Sequence, residues 1–514
     1  MDLRNSPTEA NVAPLGKMDA YMRLLAWESF SARRRNMTRL ESYRRSWIYV
    51  SGDNLHDSHG AMPLSVNYLK LICEMHAAYL WGQWEPTGRM LSWSIKPRVG
   101  KGDQEIMEKV LDWLYTLFDG YEEILYSSGM NQSIFGDCVL TPRWDPLLET
   151  VYPESVLPEY FHCRWSPHDI TRLNEVVIAY PIAREDAETE FGTKGDTQYG
   201  IHTGSFSHQY AIYWEHWTPE RKDIYIDNLL IEQASGPNPY AKPGLNLPGI
   251  IPFVHVPNVR SGGEFYGTSD IDGVYDLQDE VNRRLADYSD IISYSAHPII
   301  LVKKYFGRVT DLPVGPDAIW DLGREGEAEY LSGDPPPVDI DKYLAKIQNI
   351  IEDLSALPDA AYGHNEHAER SAISLAMKMM PTTSRVTWKR LHWRTGLINY
   401  VHMAARLAEI NNALPFPRTY LQKLVIDPDF APVLPKDRSA IVGDNVQLVL
   451  NGIRSTKRAL EELGERKVDD EYTAIFDDLK KKVDMGMQIQ LGGKNAKGPG
   501  GSPDTGAEQR DRSQ

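Results

Sequence analysis

Tyr266-Gly267-Thr268-Ser269-Asp270-Ile271-Asp272-Gly273-Val274-Tyr275-Asp276-Leu277-Gln278-Asp279-Glu280-Val281-Asn282-Arg283-Arg284 opens the most regular part of this 514-residue chain. From Ile271 the apolar residues Val274, Leu277, Val281, Leu285, Tyr288 and Ile292 step by three or four positions. That spacing predicts one apolar stripe along about six turns of helix. Gly267-Thr268 reads as the turn before it. Ser269 with Asp272 fits the reciprocal cap of a hydroxyl followed three residues later by a carboxylate, and Pro298 ends the helix. The other faces carry Asp276, Asp279, Glu280, Asp287 and Asp290 against Arg283 and Arg284, a net of −5 over 270–295. A single stripe needs something to cover it, either a neighbouring copy or another part of the same chain.

Downstream, 298–337 is compact and strand-like at Ile299–Val302 and Ala318–Asp321, closing on Gly333-Asp334-Pro335-Pro336-Pro337. A second helix is predicted over Val338–Leu357, with Ile340, Leu344, Ile347, Ile351 and Leu354 on one side. The unit is helix, small β insert, helix, with the insert at the far end of an antiparallel pair. Pro358–Arg370 is polar and irregular. Residues 371–411 predict a long helix interrupted at Pro381, because an interior proline costs about 3 kcal/mol. Residues 437–490 are helical with charged faces, and the Gly-, Pro- and Ser-rich 492–514 is expected to be disordered.

Upstream, helices are predicted over 64–81 and 103–135, with a strand at Ser92–Arg98. From Asp137 to Val256 the texture is β-rich: Cys138–Thr141, Val176–Tyr180, Tyr210–Trp217, Asp223–Ile226 and Ile250–Val256 alternate with Gly, Pro and Asn turns. Trp144, Trp165, Trp214 and Trp217 are expected to fill its core. Residues 15–47 read as helix, crowded with Arg33, Arg34, Arg35, Arg39, Arg44 and Arg45. That run is either a solvated face or a contact for DNA or an acidic partner.

At 42% hydrophobic and 25% charged the chain is neither disordered nor collagen-like, and its length predicts two to four structural units. No run approaches the roughly eighteen apolar residues of a membrane span, and Met1–Ala10 carries no apolar signal core. Cys73, Cys138 and Cys163 give no disulfide framework and fit a reducing compartment. Acidic residues number 72 against 55 basic, a net of −17; residues 1–50 are net +4, leaving −21 for the rest. Such a surface does not cling to nucleic acid, although it can surround DNA and grip it loosely.

Motifs of catalysis are missing. Gly100-Lys101-Gly102 lacks the rest of a phosphate-binding loop, and there is no Gly-x-Ser-x-Gly elbow. His364-Asn365-Glu366-His367 is out of register with the zinc-peptidase patterns. His162 with Cys163, and His202 with His208, lack the paired spacing of structural zinc. No metal, no cofactor and no enzymatic activity is therefore expected. Asp270 and Asp272 open a helix, where the dipole favours acids. Asp427-Pro428-Asp429 is expected in a solvated Pro-rich connection.

The stretch at Gly267, Ser269, Asp270, Leu277, Gln278 and Asn282 resembles the portal proteins of tailed double-stranded DNA bacteriophages, in which a Gly-x-Ser-Asp-like turn enters a long helix bearing Leu-Gln-x-x-x-Asn. Gly452-Ile453-Arg454-Ser455 followed by Leu460 and Leu463-Gly464 looks like the family's crown-side turn and helix. Ser371-Ala372-Ile373-Ser374-Leu375 is similar to its Ser-Gly-x-Ala-Leu, with departures at Ala372 and Ser374. The order of elements over most of 15–490 also follows the portal plan.

The resemblance implies an α+β portal fold: a wing over 1–267, stem helices over 268–296 and 338–357, a clip over 297–337, and a tunnel loop over 358–370. A kinked wing helix over 371–414, a crown over 415–491 and a tail over 492–514 complete it. It implies a ring of about twelve copies at one capsid vertex, present in the host cytoplasm during assembly. The ring would be the channel for genome packaging and ejection, with double-stranded DNA passing through. It would dock the terminase large subunit, a head-completion adaptor, the major capsid protein and scaffold. Ile271, Val274, Leu277, Val281, Leu285 and Tyr288 would form the stem interface between copies. Lys303, Lys304, Phe306, Arg308, Trp320 and Tyr330 would meet partners at the clip. Tyr362, His364, Asn365, His367 and Arg370 would reach DNA in the channel. The histidines there, with an ordinary pKa of about 6.5, would gain charge near pH 6. Two other classes remain open: a different ring-forming virion protein, which would lack the helix–insert–helix unit, and a metal-dependent hydrolase built around the His364 loop.

Overall fold

The structure, a computed structural model, describes residues 66–82, 91–195, 209–227, 229–241, 249–260, 262–296, 299–304, 308, 320–322, 324–331, 339–363, 372–433, 438–463 and 468–484. The expected helix at 15–47, its arginines and the tail lie outside them. The chain divides into two units after residue 434.

In the first unit, α1 (Tyr68–Trp81) buries Leu69, Ile72, Cys73, His76, Ala77, Leu80 and Trp81, a single face at helical spacing, and the Asn67 side chain caps it by accepting from the Lys70 N–H. The strand β1 (Leu91–Pro97) follows. The single helix predicted over 103–135 is two, α2 (Gln104–Thr116) and α3 (Glu122–Phe135), broken around Gly120. The β-rich stretch then runs β2 (Asp137–Asp145), β3 (Thr150–Val156), β4 (Phe161–Ser166), β5 (Asp169–Ala183), α4 (Arg184–Phe191), β6 (Tyr210–Trp217) and β7 (Arg221–Ile226). Short strands β8 (Leu229–Leu230), β9 (Gly236–Pro237), β10 (Val254–Pro257), β11 (Val259–Arg260) and β12 (Gly267–Thr268) complete it. One sheet has the order β4-β5-β6-β7-β8 with β9 on β7, and another has β10-β2-β3. Of the four tryptophans expected in this core, only Trp217 is fully buried. Trp214 and Trp217 differ by an odd number of positions on β6, so the two-residue period of a strand sends them to opposite faces.

The helix–insert–helix unit is present. It comprises α5 (Tyr275–Ala296), a hairpin of β13 (Ile299–Lys303) and β14 (Glu327–Leu331), and α6 (Ile340–Ser355). After it, α7 (Ala372–Lys378) and α8 (Met380–Ile410) are parted at Met379, with Pro381 in the first turn of α8, where a proline's missing N–H costs nothing. Finally β15 (Leu424–Phe430) pairs antiparallel with β1. The stretch holding Asp427, Pro428 and Asp429 is therefore an edge strand and not a connection. Residues 415–434, expected to begin a separate crown, belong to the first unit.

Two apolar clusters organise this unit. One joins Trp81, Trp93, Phe118, Phe253, Trp393 and Tyr400 around α8 and the sheets. The other joins Leu69 and Ile72 of α1, Phe135 of α3, Ile271, Val274, Val281, Ile347 and Ile351. The second unit contains α9 (Arg438–Leu450), α10 (Thr456–Glu462) and α11 (Val468–Asp484). Gly452 turns the chain with positive φ, and Ser455 caps α10 by accepting from the Arg458 N–H at 3.3 Å.

Candidate functional site: the root of the long helix

The quoted motif is a set of anchors. Gly267 lies against Gly136, the left-handed residue that ends α3; a Cβ on Gly267 would stand 2.2 Å from the Gly136 carbonyl oxygen, and one on Gly136 would stand 2.6 Å from that of Gly267. Only two glycines allow this backbone approach. The Gly267 N–H donates to Asp137 Oδ1 at 2.8 Å, and Asp137 also pairs with His255 at 2.7 Å. The Ser269 hydroxyl accepts from the Ile271 N–H and sits 2.8 and 2.7 Å from the carbonyl oxygens of Ser133 and Ile134 at the end of α3. The Asp272 carboxylate accepts from the Ser269 N–H at 3.2 Å. The expected cap is thus formed, but it closes a turn, and regular helix begins only at Tyr275.

Asp270 is no solvated dipole acid. It is fully buried, receives Ser133 Oγ at 2.6 Å and Asn258 Nδ2 at 2.9 Å, and pairs with Arg385 Nε at 3.2 Å and with the Lys389 ammonium. Burial alone would raise the Asp270 carboxyl, but Lys389, His76 and Arg385 hold it well below the usual carboxylate range. Burial lowers Lys389, and Asp270 offsets part of this. Beside them His76 Nε2 lies 2.8 Å from the Ser355 carbonyl, so that nitrogen carries the proton. Burial pushes His76 down to about 3, against the pull of Asp270. Burial also pushes the neighbouring Cys73 thiol up to about 12, which leaves it unreactive.

One turn further along, Gln278 Oε1 accepts from the Tyr68 N–H at 2.8 Å, and its amide donates to the Val66 carbonyl at 2.6 Å. Asn282 Oδ1 accepts from the Val66 N–H at 3.0 Å. The Leu-Gln-x-x-x-Asn pattern therefore fixes α5 to the backbone that enters α1. Tyr343 of α6 donates to Glu280 of α5 at 3.2 Å. At the other end of α6, Thr382 Oγ1 donates to the Ala356 carbonyl at 2.6 Å and Arg385 to the Leu354 carbonyl at 3.1 Å. Glu352 shares a hydrogen bond with Asp359. Burial, then that second carboxyl, pushes Glu352 up to about 7.

Ile271, Val274 and Val281 are buried by α1, α3 and α6 of the same chain, and Leu277 and Leu285 pack against that cluster. The covering expected from a neighbouring copy is supplied within the chain at these positions; Tyr288 is half-buried. Lys303 pairs with Glu329 across the hairpin and Lys304 with Glu327 at 3.8 Å. Arg308 is exposed, Trp320 half-buried, and Tyr330 faces Ile300 in the ladder. Phe306, His364, Asn365, His367 and Arg370 lie outside the described residues. Tyr362 packs into the second cluster on a short 3-10 turn, and burial pushes its hydroxyl up to about 12. Among the described residues no group of three or more His, Cys, Asp or Glu side chains could hold a metal, and no helix is long and apolar enough to cross a membrane.

The partners of Asp270 were missed by sequence reading. A signal existed: Lys389 sits on the buried stripe Val386, Trp393, Leu397 and Tyr400 of α8, and a lysine in such a stripe needs a carboxylate.

The class defined by these features is a mixed α+β protein in which a helix pair carrying a hairpin is rooted, through buried polar contacts, in a layer of helices and sheets. Residues 243–484 match the family model described as phage portal protein, SPP1 Gp6-like. That segment is just under half of the sequence, and over it the chain is similar to the phage portal proteins. No curated protein sequence matches it. Members of the family are structural components of the virion that assemble as an oligomeric ring and interact with capsid and DNA.

Proposed function

We propose that this protein forms the portal ring at one capsid vertex, the channel through which the phage genome is packaged and ejected. The observation that carries this reading is the α5–hairpin–α6 excursion lying inside the segment matched to the portal family. In this reading α5 and α6 are the stem and the β13–β14 hairpin belongs to the clip, where Lys303, Lys304, Phe306, Arg308, Trp320 and Tyr330 meet the terminase and later the head-completion adaptor. The stretch 358–370 is the tunnel loop, and the helices beyond residue 434 form the crown. A ring of twelve copies of a chain with net charge −17 gives a channel that repels DNA and lets it slide. Electron-microscope class averages of the purified full-length protein test the proposal. Rings with a central hole wide enough for duplex DNA are expected, and monomers at every concentration would overturn it.

A further inference from the structure

A groove of about 510 Å³ opens between α2, the tip of the β2–β3 hairpin and the end of α8. Trp113 and Trp144, both half-buried, wall it together with Leu148 and Ala408. Asp112 and Glu149 bring exposed carboxylates to it, and neither has a cationic partner among the described residues. Among the described residues that line it Lys109 is the only cation, and Glu105 already pairs with it at 2.6 Å. The surroundings do not restore the balance, since 103–123 carries seven carboxylates against that one lysine. The hairpin tip is tied down on this side. Asp145 Oδ1 accepts from the N–H groups of Leu147 and Leu148 at 2.7 and 3.1 Å, and Glu149 is held at a φ of 50°. Non-glycine residues kept in the left-handed region gather at ligand clamps.

Indoles beside unpaired carboxylates suit one side chain above others. A guanidinium stacks flat on an indole and still presents its N–H fork to carboxylates, whereas the phosphates of a nucleic acid would be repelled. We propose that this groove seats the arginine run Arg33–Arg45 of the same chain. That run, outside the described residues, has six arginines against Glu41, in a chain of net −17. Its tether is long enough. Residues 46–65 join it to Val66, where the described chain begins, and can span about 70 Å. Arg390 Nε of α8 donates to the Leu80 carbonyl of α1 at 2.8 Å. The path from Val66 along α1 to Leu80, and from Arg390 along α8 to Ala408, is therefore about 50 Å. Attachment at that range gives the run an effective concentration that a separate partner must exceed. A seated run is withheld from DNA, the other ligand its charge would suit. The contact does not depend on ring formation.

The probe is a fluorescein-labelled peptide of residues 31–47, followed by anisotropy at about 0.15 M salt. It is offered to the full parent chain and to the full chain with Arg33→Gln, Arg34→Gln, Arg35→Gln, Arg39→Gln, Arg44→Gln and Arg45→Gln, which vacates the groove. The vacated chain should bind the peptide at least about tenfold more tightly than the parent, whose own run competes. Two changes added to the vacated chain locate the site. Asp112→Asn/Glu149→Gln alters exposed positions, and Trp144→Leu leaves the charge as it was; each should weaken binding about tenfold or more. Equal binding by the parent and the vacated chain, or none by either, overturns the proposal. Loss in the charge variant without loss in Trp144→Leu means general attraction of an arginine peptide to an acidic protein, and overturns it as well. Circular dichroism checks that each variant is folded. Should Trp144→Leu unfold, the fluorescence difference between the vacated chain and the same chain with Trp144→Phe isolates Trp144. Its emission should change when the peptide is added; unchanged emission overturns the proposal.

Discussion

Asp270 and Lys389, 119 positions apart in the sequence, form a buried ion pair that ties the turn leading into α5 to the N-terminal third of α8. Arg385 approaches the same carboxylate from one turn away on α8. A helix pair that leaves the body of the protein is thereby held at its root by charges that water cannot screen. Tilting α5 at its root would separate them.

Removing one partner leaves a buried charge uncompensated. Lys389→Met is expected to lower unfolding stability by about 3–5 kcal/mol, whereas Asp270→Leu combined with Lys389→Met should recover part of that loss. Chemical denaturation midpoints measure both. A single-variant loss below about 1 kcal/mol would show that Arg385 alone holds the carboxylate.

Gly267→Ala should also destabilise the root, by less and for a different reason. The new methyl meets the Gly136 carbonyl oxygen, a backbone atom that cannot rotate away. The loss expected is about 1–3 kcal/mol. It should coincide with faster amide exchange at Gly267 and Asn258, whose N–H groups are held by Asp137 and by the Gly136 carbonyl. Unchanged exchange would contradict the close approach.

The helix–insert–helix plan was legible because the apolar period from Ile271 to Ile292 and the prolines at 298 and 335–337 are local signals. The place where regular helix begins was not. Ser269 and Asp272 make the expected cap bonds, yet Gly273 follows with positive φ and delays the helix to Tyr275. What covers the stripe was equally hidden. Covering by α1 depends on contacts between positions some 200 residues apart, and covering by α6 on contacts across the whole hairpin insert; spacing along one helix holds no information about either. The pairing of β15 with β1 was missed because Pro428 marks an interior strand as unlikely, and only an edge position tolerates it. At the root itself, Gly267, Ser269, Gln278 and Asn282 were visible as a pattern. Their roles were not, since each binds the backbone of a distant segment.

Gln278→Ala should release the segment that enters α1. It removes the acceptor of the Tyr68 N–H and the donor to the Val66 carbonyl, at a cost of about 1–3 kcal/mol for buried groups left unpaired. Hydrogen exchange should quicken at Tyr68 while Lys70, capped by Asn67, keeps its protection. Equal loosening at both would point to general destabilisation of the helix.

Glu352 and His76 give the fold opposite responses to pH. The Glu352 pKa is raised from 4.5 to about 7 by burial and by Asp359, so the folded state holds a proton that the unfolded state releases. Its contribution is fully present below about 4.5 and is lost as pH rises through about 7. His76 is lowered from 6.5 to about 3; its contribution is present above about 6.5 and is lost as pH falls toward 3. Glu352→Gln keeps a hydrogen-bonding amide toward Asp359 but cannot ionise. Between pH 5 and pH 8 the parent should therefore lose more melting temperature than the variant, and the two curves should run parallel below pH 4.5, where the His76 response remains in both. Parallel curves over the whole range would mean that Glu352 titrates in the folded protein as an ordinary carboxylate.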